Sequence, residues 1–163
     1  MSIAIVYDSI FGNTAEVARA IAAALEPDGP VTLVPVHEAR ALDLGGVDLL
    51  IVGSPTRGFR PTPAISEFVE GLDKVAPGKA AAAFDTRLDL ETITPAPLRW
   101  VVDAGGYAAD RVAAMLERHG FALRGGNGGF LVTGTEGPLK DGEAERARRW
   151  ARSLLSASAA SAA

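Results

Sequence analysis

Ser2-Ile-Ala-Ile-Val-Tyr-Asp8 is followed at once by Ser9-Ile-Phe-Gly-Asn-Thr14 and then by an alanine-rich segment, 15–25. The first stretch is an apolar run typical of a buried parallel strand, and the last has an apolar face at helical spacing. The polar turn between them therefore leads into a helix N-terminus, where backbone N–H groups and the helix dipole favour an anion. Because the turn carries hydroxyl and amide groups but no Lys or Arg, it suits a phosphate monoester held by hydrogen bonds.

This turn alone matches no nucleotide-binding signature. It lacks the Gly-Lys-Ser/Thr of a P-loop, and it has only Gly12 where a dinucleotide-binding turn has three glycines. A simple helix cap, in which Gly12 permits the turn, accounts for the same residues equally well. The decision between the two interpretations therefore depends on the rest of the chain.

Strand and helix patterns alternate along the whole sequence. Apolar runs predict strands at 3–7, 31–36, 47–52 and 79–84, and a fifth strand in two pieces at 121–123 and 129–133. Pro35 places the second strand at a sheet edge, because proline cannot donate to a neighbour on both sides. The pattern predicts an α/β fold, a doubly wound five-stranded parallel sheet in the order 2-1-3-4-5 with helices on both faces. Ligands of such sheets bind at the strand carboxyl ends beside the first and third strands.

Composition narrows the possible functions. The 163 residues predict one domain over 1–155 and a disordered small-residue tail at 156–163. The chain has no cysteine, which excludes thiol catalysis and thiolate metal sites, and its two histidines lie far apart, so we expect no metal. The net charge of −4 disfavours nucleic acid as a partner. No membrane-length apolar stretch or signal peptide is visible, so we expect a cytoplasmic protein, and the high Ala, Arg and Gly content suggests a bacterial source.

Three loops at the predicted ligand edge carry a family resemblance. Tyr7-Asp-Ser-Ile-Phe-Gly-Asn-Thr14 resembles the phosphate loop of the flavodoxin family, and Gly53-Ser-Pro-Thr-Arg-Gly-Phe59 and Phe84-Asp-Thr-Arg87 resemble its second and third flavin loops. The resemblance spans nearly the whole chain and fits the short-chain type. It implies a flavodoxin-like fold, non-covalently bound flavin mononucleotide (FMN) and a role in electron transfer.

The resemblance also assigns cofactor-binding residues. It places the FMN phosphate on the first loop and the isoalloxazine ring between the second and third loops. The residues concerned are Ser9, Ile10, Phe11, Gly12, Asn13 and Thr14 for the phosphate; Pro55, Thr56, Arg57, Gly58 and Phe59 for one side of the ring; and Phe84, Asp85, Thr86, Arg87 and Leu88 for its other edge. No catalytic residue is implied.

The chain departs from the family at the positions that stack on the flavin. Electron-carrying flavodoxins usually have aromatic side chains where this sequence has Arg57 and Leu88. Loss of both aromatic partners weakens FMN binding by roughly tenfold or more, unless Phe59 or Trp100 replaces them. The pattern nevertheless favours packing within the protein for Trp100, in a short helix, and core packing for Trp150.

The leading interpretation is an electron carrier that works with separate redox proteins, a reductase and an acceptor, and is monomeric. One alternative is an FMN-dependent reductase that transfers electrons from a nicotinamide to a quinone-type acceptor. The other is a flavodoxin-fold interaction module that has lost FMN. Rapid oxidation of a nicotinamide by the isolated protein favours the reductase, and failure to bind FMN favours the interaction module.

Overall fold

The computed structural model describes residues 1–72 and 78–162. Strands and helices alternate as predicted. The strands are β1 (Ile3–Tyr7), β2 (Val31–Pro35), β3 (Leu49–Pro55), β4 (Ala80–Leu88), β5 (Ala122–Leu123) and β6 (Gly128–Val132). The helices are α1 (Asn13–Leu25), α2 (Pro63–Glu70), α3 (Pro97–Gly105), α4 (Ala108–Arg118) and α5 (Glu143–Ala162).

The named strand pairs of the sheet are parallel, and the order is β2-β1-β3-β4. Strand β4 then pairs with β5 along its first half and with β6 along its second half. This confirms the predicted flavodoxin-like order 2-1-3-4-5, with the fifth position shared by two short segments. Pro35 is the last residue of the edge strand β2, where its missing N–H costs no sheet hydrogen bond. The carboxyl ends of β1, β3, β4 and β6 therefore meet at one edge.

The fourth strand is longer than the sequence predicts. The prediction ended it at Phe84 and assigned 85–97 to a loop, whereas β4 continues to Leu88 because β6 pairs with its second half, from Phe84↔Gly128 to Leu88↔Val132. Polar residues interrupt the apolar pattern there, which hid the extension. The consequence is that Asp85 and Thr86 are fixed by a β-ladder instead of lying in a loop.

The sheet is covered on both faces. Successive residues of β3 point to opposite sides, so Leu49 and Ile51 pack with α1 and α5, while Leu50 and Val52 pack with α2 and α4. All four side chains have no solvent exposure. The two-sided burial explains why the strands read as continuous apolar runs.

The helix boundaries follow local capping. Thr62 caps α2 by accepting a 3.4 Å hydrogen bond from the backbone N–H of Ile65, and Pro63 follows it at the first helical position. The sequence places the last cap at Asp141, but α5 begins only at Glu143 because Gly142 adopts a positive φ of 85°. Helix α5 extends to Ala162, and the disorder of 156–163 and the domain limit at 155 stay predictions.

Among the described residues, no helix combines the length and apolarity that crossing a membrane requires.

The two tryptophans lie in opposite environments. Trp150 packs edge-on against Phe84 and Phe130, with ring centroids 6.0 and 5.9 Å away, which supports the predicted core position. Trp100 does lie in a short helix, α3, but 84% of it is exposed, so its predicted packing within the protein is wrong.

Truncation of Phe84 tests this core. We expect Phe84→Ala to lower the free energy of unfolding by about 3–5 kcal/mol, because a fully buried ring that contacts two other aromatic rings leaves a cavity. Phe11→Ala removes the same ring from a 45% exposed position, and we expect a change within about 0.5 kcal/mol. Urea denaturation measures both, and equal losses would contradict the packing.

Candidate functional site

A cleft of about 220 Å³ opens at the carboxyl edge of the sheet. It is formed by residues from the ends of β1, β3, β4 and β6 and from the loops that follow them. Its lining comprises Ser9, Ile10, Phe11, Asn13, Thr14, Pro55, Thr56, Arg57, Thr86, Arg87, Leu88, Val132 and Thr135. Four segments distant in sequence thus meet at the place that the strand order predicts.

The first loop presents backbone donors to the cleft. Gly12 adopts a left-handed φ of 95°, which turns the chain into α1 at Asn13. The Ser9 hydroxyl accepts hydrogen bonds from the N–H groups of Gly12 and Ala15, each at 3.2 Å. The N–H groups of Asn13 and Thr14 have no acceptor among the residues that the structure describes. They can therefore bind an anion, with the positive end of the helix dipole behind them.

The first loop is tied to the third by a hydroxyl pair. The Oγ1 atoms of Thr14 and Thr86 lie 2.8 Å apart, and both residues are buried. One hydroxyl donates to the other, so the start of α1 is fixed directly to β4. In addition to the cofactor contacts predicted for them, these two residues position the two loops relative to each other.

The second loop is a tight turn. Arg57 and Arg60 exchange two backbone hydrogen bonds of 2.8 and 3.1 Å across Gly58 and Phe59, which both have positive φ, the pattern of a type I′ turn. Phe59 is the one non-glycine residue with positive φ in the described part of the chain. Arg111 holds this conformation by donating from Nε to the Phe59 carbonyl oxygen at 2.8 Å.

Only part of the second loop reaches the cleft. Pro55, Thr56 and Arg57 line it, whereas Phe59 packs its ring against Gly105, so closely that a Cβ there would lie 2.3 Å from the ring. Gly58 and Phe59 are absent from the lining that the structure describes. The turn directs Phe59 toward α3, and the place of Gly58 and Phe59 beside the ring stays a prediction.

The third loop, too, contributes only some of its residues to the cleft. Thr86, Arg87 and Leu88 line the cleft, but Phe84 is fully buried in the core and packs under Gly53, where a Cβ would lie 2.0 Å from the ring. Asp85 has no solvent exposure either. Both residues precede Thr86 in β4, where Phe84 is covered by the rings of Phe130 and Trp150 and Asp85 by the start of α4.

Asp85 instead forms a buried hydrogen-bonded ion pair. Arg87 donates to its carboxylate from Nε at 2.7 Å and from Nη2 at 2.8 Å, and the Ala109 N–H donates at 2.9 Å. Burial raises the pKa of Asp85, and the Arg87 guanidinium opposes that rise. The guanidinium also stacks on the ring of Tyr107, 3.7 Å from the centroid. The charge of Arg87 is therefore largely compensated at the wall of the cleft.

Two lining residues were missed from the sequence. Val132 ends β6, and Thr135 lies in the loop after it. The sequence feature that could have identified them is the strand order, since a parallel fifth strand brings its carboxyl end to the same edge as the other strands. The loop is held on one side by Asn13, which donates from Nδ2 to the Glu136 carbonyl oxygen at 3.2 Å, and on the other by a 2.8 Å ion pair between Lys140 and Asp89.

Aromatic side chains are sparse in the cleft. Phe11 is the one aromatic residue in the described lining, and the Arg57 guanidinium lies over its ring at 5.7 Å from the centroid. Arg57 and Leu88 line the cleft where the family's aromatic residues were expected. Neither Phe59 nor Trp100 replaces them, because Phe59 packs on Gly105 and Trp100 points into solvent.

A family model for the flavodoxin domain matches residues 4–96, which include all three loops. The chain belongs to the flavodoxin domain family. No curated protein sequence is similar enough to this chain to count as a match.

Solved structures of low sequence identity share the fold of this family member. A flavodoxin from the domain Archaea is 19% identical, with a TM-score of 0.74 over 97% of this chain and 99% of that one. Oxidised Flavodoxin 1 from Bacillus cereus is 18% identical, with a TM-score of 0.72 over 96% and 98%. Rubredoxin oxygen:oxidoreductase from Desulfovibrio gigas is 19% identical with a TM-score of 0.72, and the match covers 99% of this chain but 37% of that protein.

The ion pair at the rim predicts a pH dependence. Hydrogen bonds from Lys140 and from the Glu91 N–H lower the pKa of Asp89, so its folded pKa lies below the unfolded value of about 3.9. The stability that it contributes is present above about pH 4 and is lost as the pH falls through the folded pKa. We expect the difference in unfolding free energy between wild type and Asp89→Asn to shrink over that range, measured by urea titration.

Lys140→Gln removes the other partner of the same pair, and we expect it to reduce the same pH dependence. A difference between wild type and Asp89→Asn that stays constant down to about pH 3 would contradict the assignment, because an unperturbed or unpaired carboxylate contributes no such change.

Proposed function

We propose that this chain binds FMN in the cleft and transfers electrons between redox proteins in a bacterial cytoplasm. The observation that carries the proposal is the meeting of the three loops at one cleft, with unpaired N–H donors at its α1 end. Bound FMN supplies a redox centre that takes up and releases electrons one at a time. The protein's own contribution is to bind that centre, to orient it and to set the charge around it.

The donors of the first loop fit a phosphate monoester. The free N–H groups of Asn13 and Thr14 and the hydroxyl of Ser9 supply hydrogen bonds, and the α1 dipole supplies partial positive charge. No Lys or Arg lies among the cleft-lining residues of this loop, so the phosphate is held without a formal counter-charge. These residues fit FMN better than riboflavin, which has no phosphate.

Two arginines line the cleft in different electrostatic states. Arg87 is paired with Asp85, whereas Arg57 has no carboxylate within 4 Å among the described residues. An uncompensated cation beside the ring favours added negative charge on the cofactor. Arg57 and Leu88 would hold the ring from two sides, with Phe11 close to Arg57.

The chemistry of the lining is sufficient for an electron carrier. The described cleft residues include no Asp, Glu, His, Cys, Lys or Tyr, so no side chain there is suited to general acid–base work. One-electron transfer needs none.

We therefore expect the FMN-loaded protein to oxidise NADH or NADPH slowly by itself, measured by the loss of nicotinamide absorbance, and to do so faster when a separate flavoprotein reductase is added. Rapid oxidation by the isolated protein would favour the reductase alternative.

Asn13→Asp tests the phosphate site without changing side-chain size. The new carboxylate lies at the start of α1, next to the proposed phosphate position, and a unit like-charge pair at about 4 Å costs ~1–4 kcal/mol. We expect FMN binding, followed by quenching of flavin fluorescence, to weaken roughly tenfold or more. Riboflavin binding should not change.

Ser153→Asp is the matched control, since it adds the same charge on α5, which contributes no residue to the described cleft lining. An Asn13→Asp protein that loses FMN and riboflavin affinity equally would show that the loop does not bind the phosphate. A wild-type protein that binds neither would support the alternative of an interaction module.

A further inference from the structure

Helix α3 has the reverse of the usual surface-helix polarity. Its polar side chains bond to the protein's own groups: the half-buried Arg99 donates to the carbonyl oxygens of Ile93 and Glu91, each at 3.1 Å, and the exposed Asp103 accepts a 2.9 Å hydrogen bond from the Tyr107 hydroxyl. A surface helix normally buries its apolar stripe and exposes its charges. Here the half-buried positions include Arg99 beside Val102, whereas the larger apolar residues of the helix are exposed.

The outward face of α3 is apolar. Trp100 is 84% exposed, Val101 61% and Leu98 45%, and Ala104 is exposed beside them. At about 3.6 residues per turn these four positions occupy one continuous side of the helix, opposite Arg99 and Asp103. Scattered apolar side chains on a surface are ordinary, but a contiguous patch that includes an exposed tryptophan indicates a binding surface.

Uncompensated positive charge adjoins this patch. The last residue of α3, Gly105, contacts Phe59 in the turn that Arg57 and Arg60 close, and its carbonyl oxygen accepts a hydrogen bond from Arg111. Arg57, Arg60 and Arg111 are all exposed, and none has a carboxylate within 4 Å in the described parts of the chain. Arg60 and Arg111 also line an open groove of about 530 Å³ between α2 and α4, together with Met115 and Arg118.

The patch lies next to the proposed redox site. Arg57 lines the cleft on one side of the turn, and Arg60 lines the groove on the other. The third cleft segment, which ends at Leu88, leads along the chain into α3. A protein seated on α3 and this turn would therefore be placed beside the cleft.

We propose that the outward face of α3 and the arginines of the adjoining turn form the docking surface for an acidic redox protein. The inference rests on the proposed electron-transfer function. Charge complementarity selects the partner: although the whole chain carries a net charge of −4, this surface presents three exposed guanidinium groups, without a carboxylate within 4 Å in the described residues, beside an apolar face formed by Leu98, Trp100 and Val101. Such an arrangement attracts an acidic protein at long range and buries apolar area at contact.

Substitution of Val101 by charges of opposite sign tests the proposal. The position is exposed, so Val101→Glu and Val101→Lys should both fold. The probe is oxidised rubredoxin, a small acidic iron protein, titrated calorimetrically into the FMN-loaded protein at low salt. We expect Val101→Glu to weaken binding and Val101→Lys to strengthen it, each by roughly fivefold, the effect of one unit charge at about 4 Å in water. Both effects should largely disappear at about 0.5 M NaCl.

Two arginine variants form a matched pair. Arg60→Gln removes a charge from the proposed surface and should weaken rubredoxin binding, whereas Arg149→Gln removes an exposed charge from α5 and should not. Equal effects of the two, or equal effects of Val101→Glu and Val101→Lys, would overturn the proposal. Tighter binding of the basic protein cytochrome c to this face than of rubredoxin would overturn it as well.

Other occupants of the patch give different results. If the wild-type protein dimerises by sedimentation, or binds vesicles containing anionic lipid, and Val101→Glu abolishes that behaviour without changing rubredoxin binding, the surface serves a second copy or a membrane and the proposal fails. The heat of binding does not require FMN, and flavin absorbance of the same samples reports its occupancy. Charge-dependent docking by a protein without flavin would therefore contradict only the proposed cofactor.

Discussion

The buried carboxylate of Asp85 links strand β4 to helix α4 at the carboxyl edge of the sheet, where the cleft lies. It receives two hydrogen bonds from Arg87, two positions along the same strand, and one from the backbone N–H of Ala109 near the start of α4. A buried charge without such partners is costly, so strand β4 and helix α4 have to keep their relative position. The pair also withdraws the charge of Arg87 from the cleft. As a result, Arg57 is the one cation without a carboxylate partner in the lining that the structure describes.

The strand order could be read from the sequence because its signals are local and repeated. Each buried strand is a short apolar run, and Pro35 marks the edge by removing one backbone donor. The division of the fifth strand was also visible, since glycines separate its two apolar pieces. The extension of β4 to Leu88 was not visible, because Asp85 and Arg87 interrupt the apolar run and the pairing with β6 that stabilises them is long-range.

The site was predicted at the level of loops and only partly at the level of residues. Ser9 to Thr14 were placed correctly at the start of α1, since the helix pattern fixes that position, although Gly12 shapes the loop without lining the described cleft. Phe84 and Asp85, which the prediction places beside the flavin ring, are buried below the cleft, and this could not be read from the sequence because the pairing of β4 with β6 is long-range. The packing of Phe59 toward α3 could not be read from the sequence, because a positive φ at a phenylalanine has no sequence signature. Arg111 and Gly105, the residues that stabilise it, are distant in the chain.

The contrast between the two tryptophans gives the protein two intrinsic optical reporters. Trp150 sits among Phe84 and Phe130 and donates its ring N–H to the Gly126 carbonyl oxygen at 2.9 Å, so its emission follows the integrity of the sheet and α5. Trp100 lies in solvent on α3 and follows events at that surface. A water-soluble quencher should therefore act more strongly on the exposed indole of Trp100 than on the half-buried indole of Trp150. Unfolding and surface binding can thus be followed separately in the unlabelled protein.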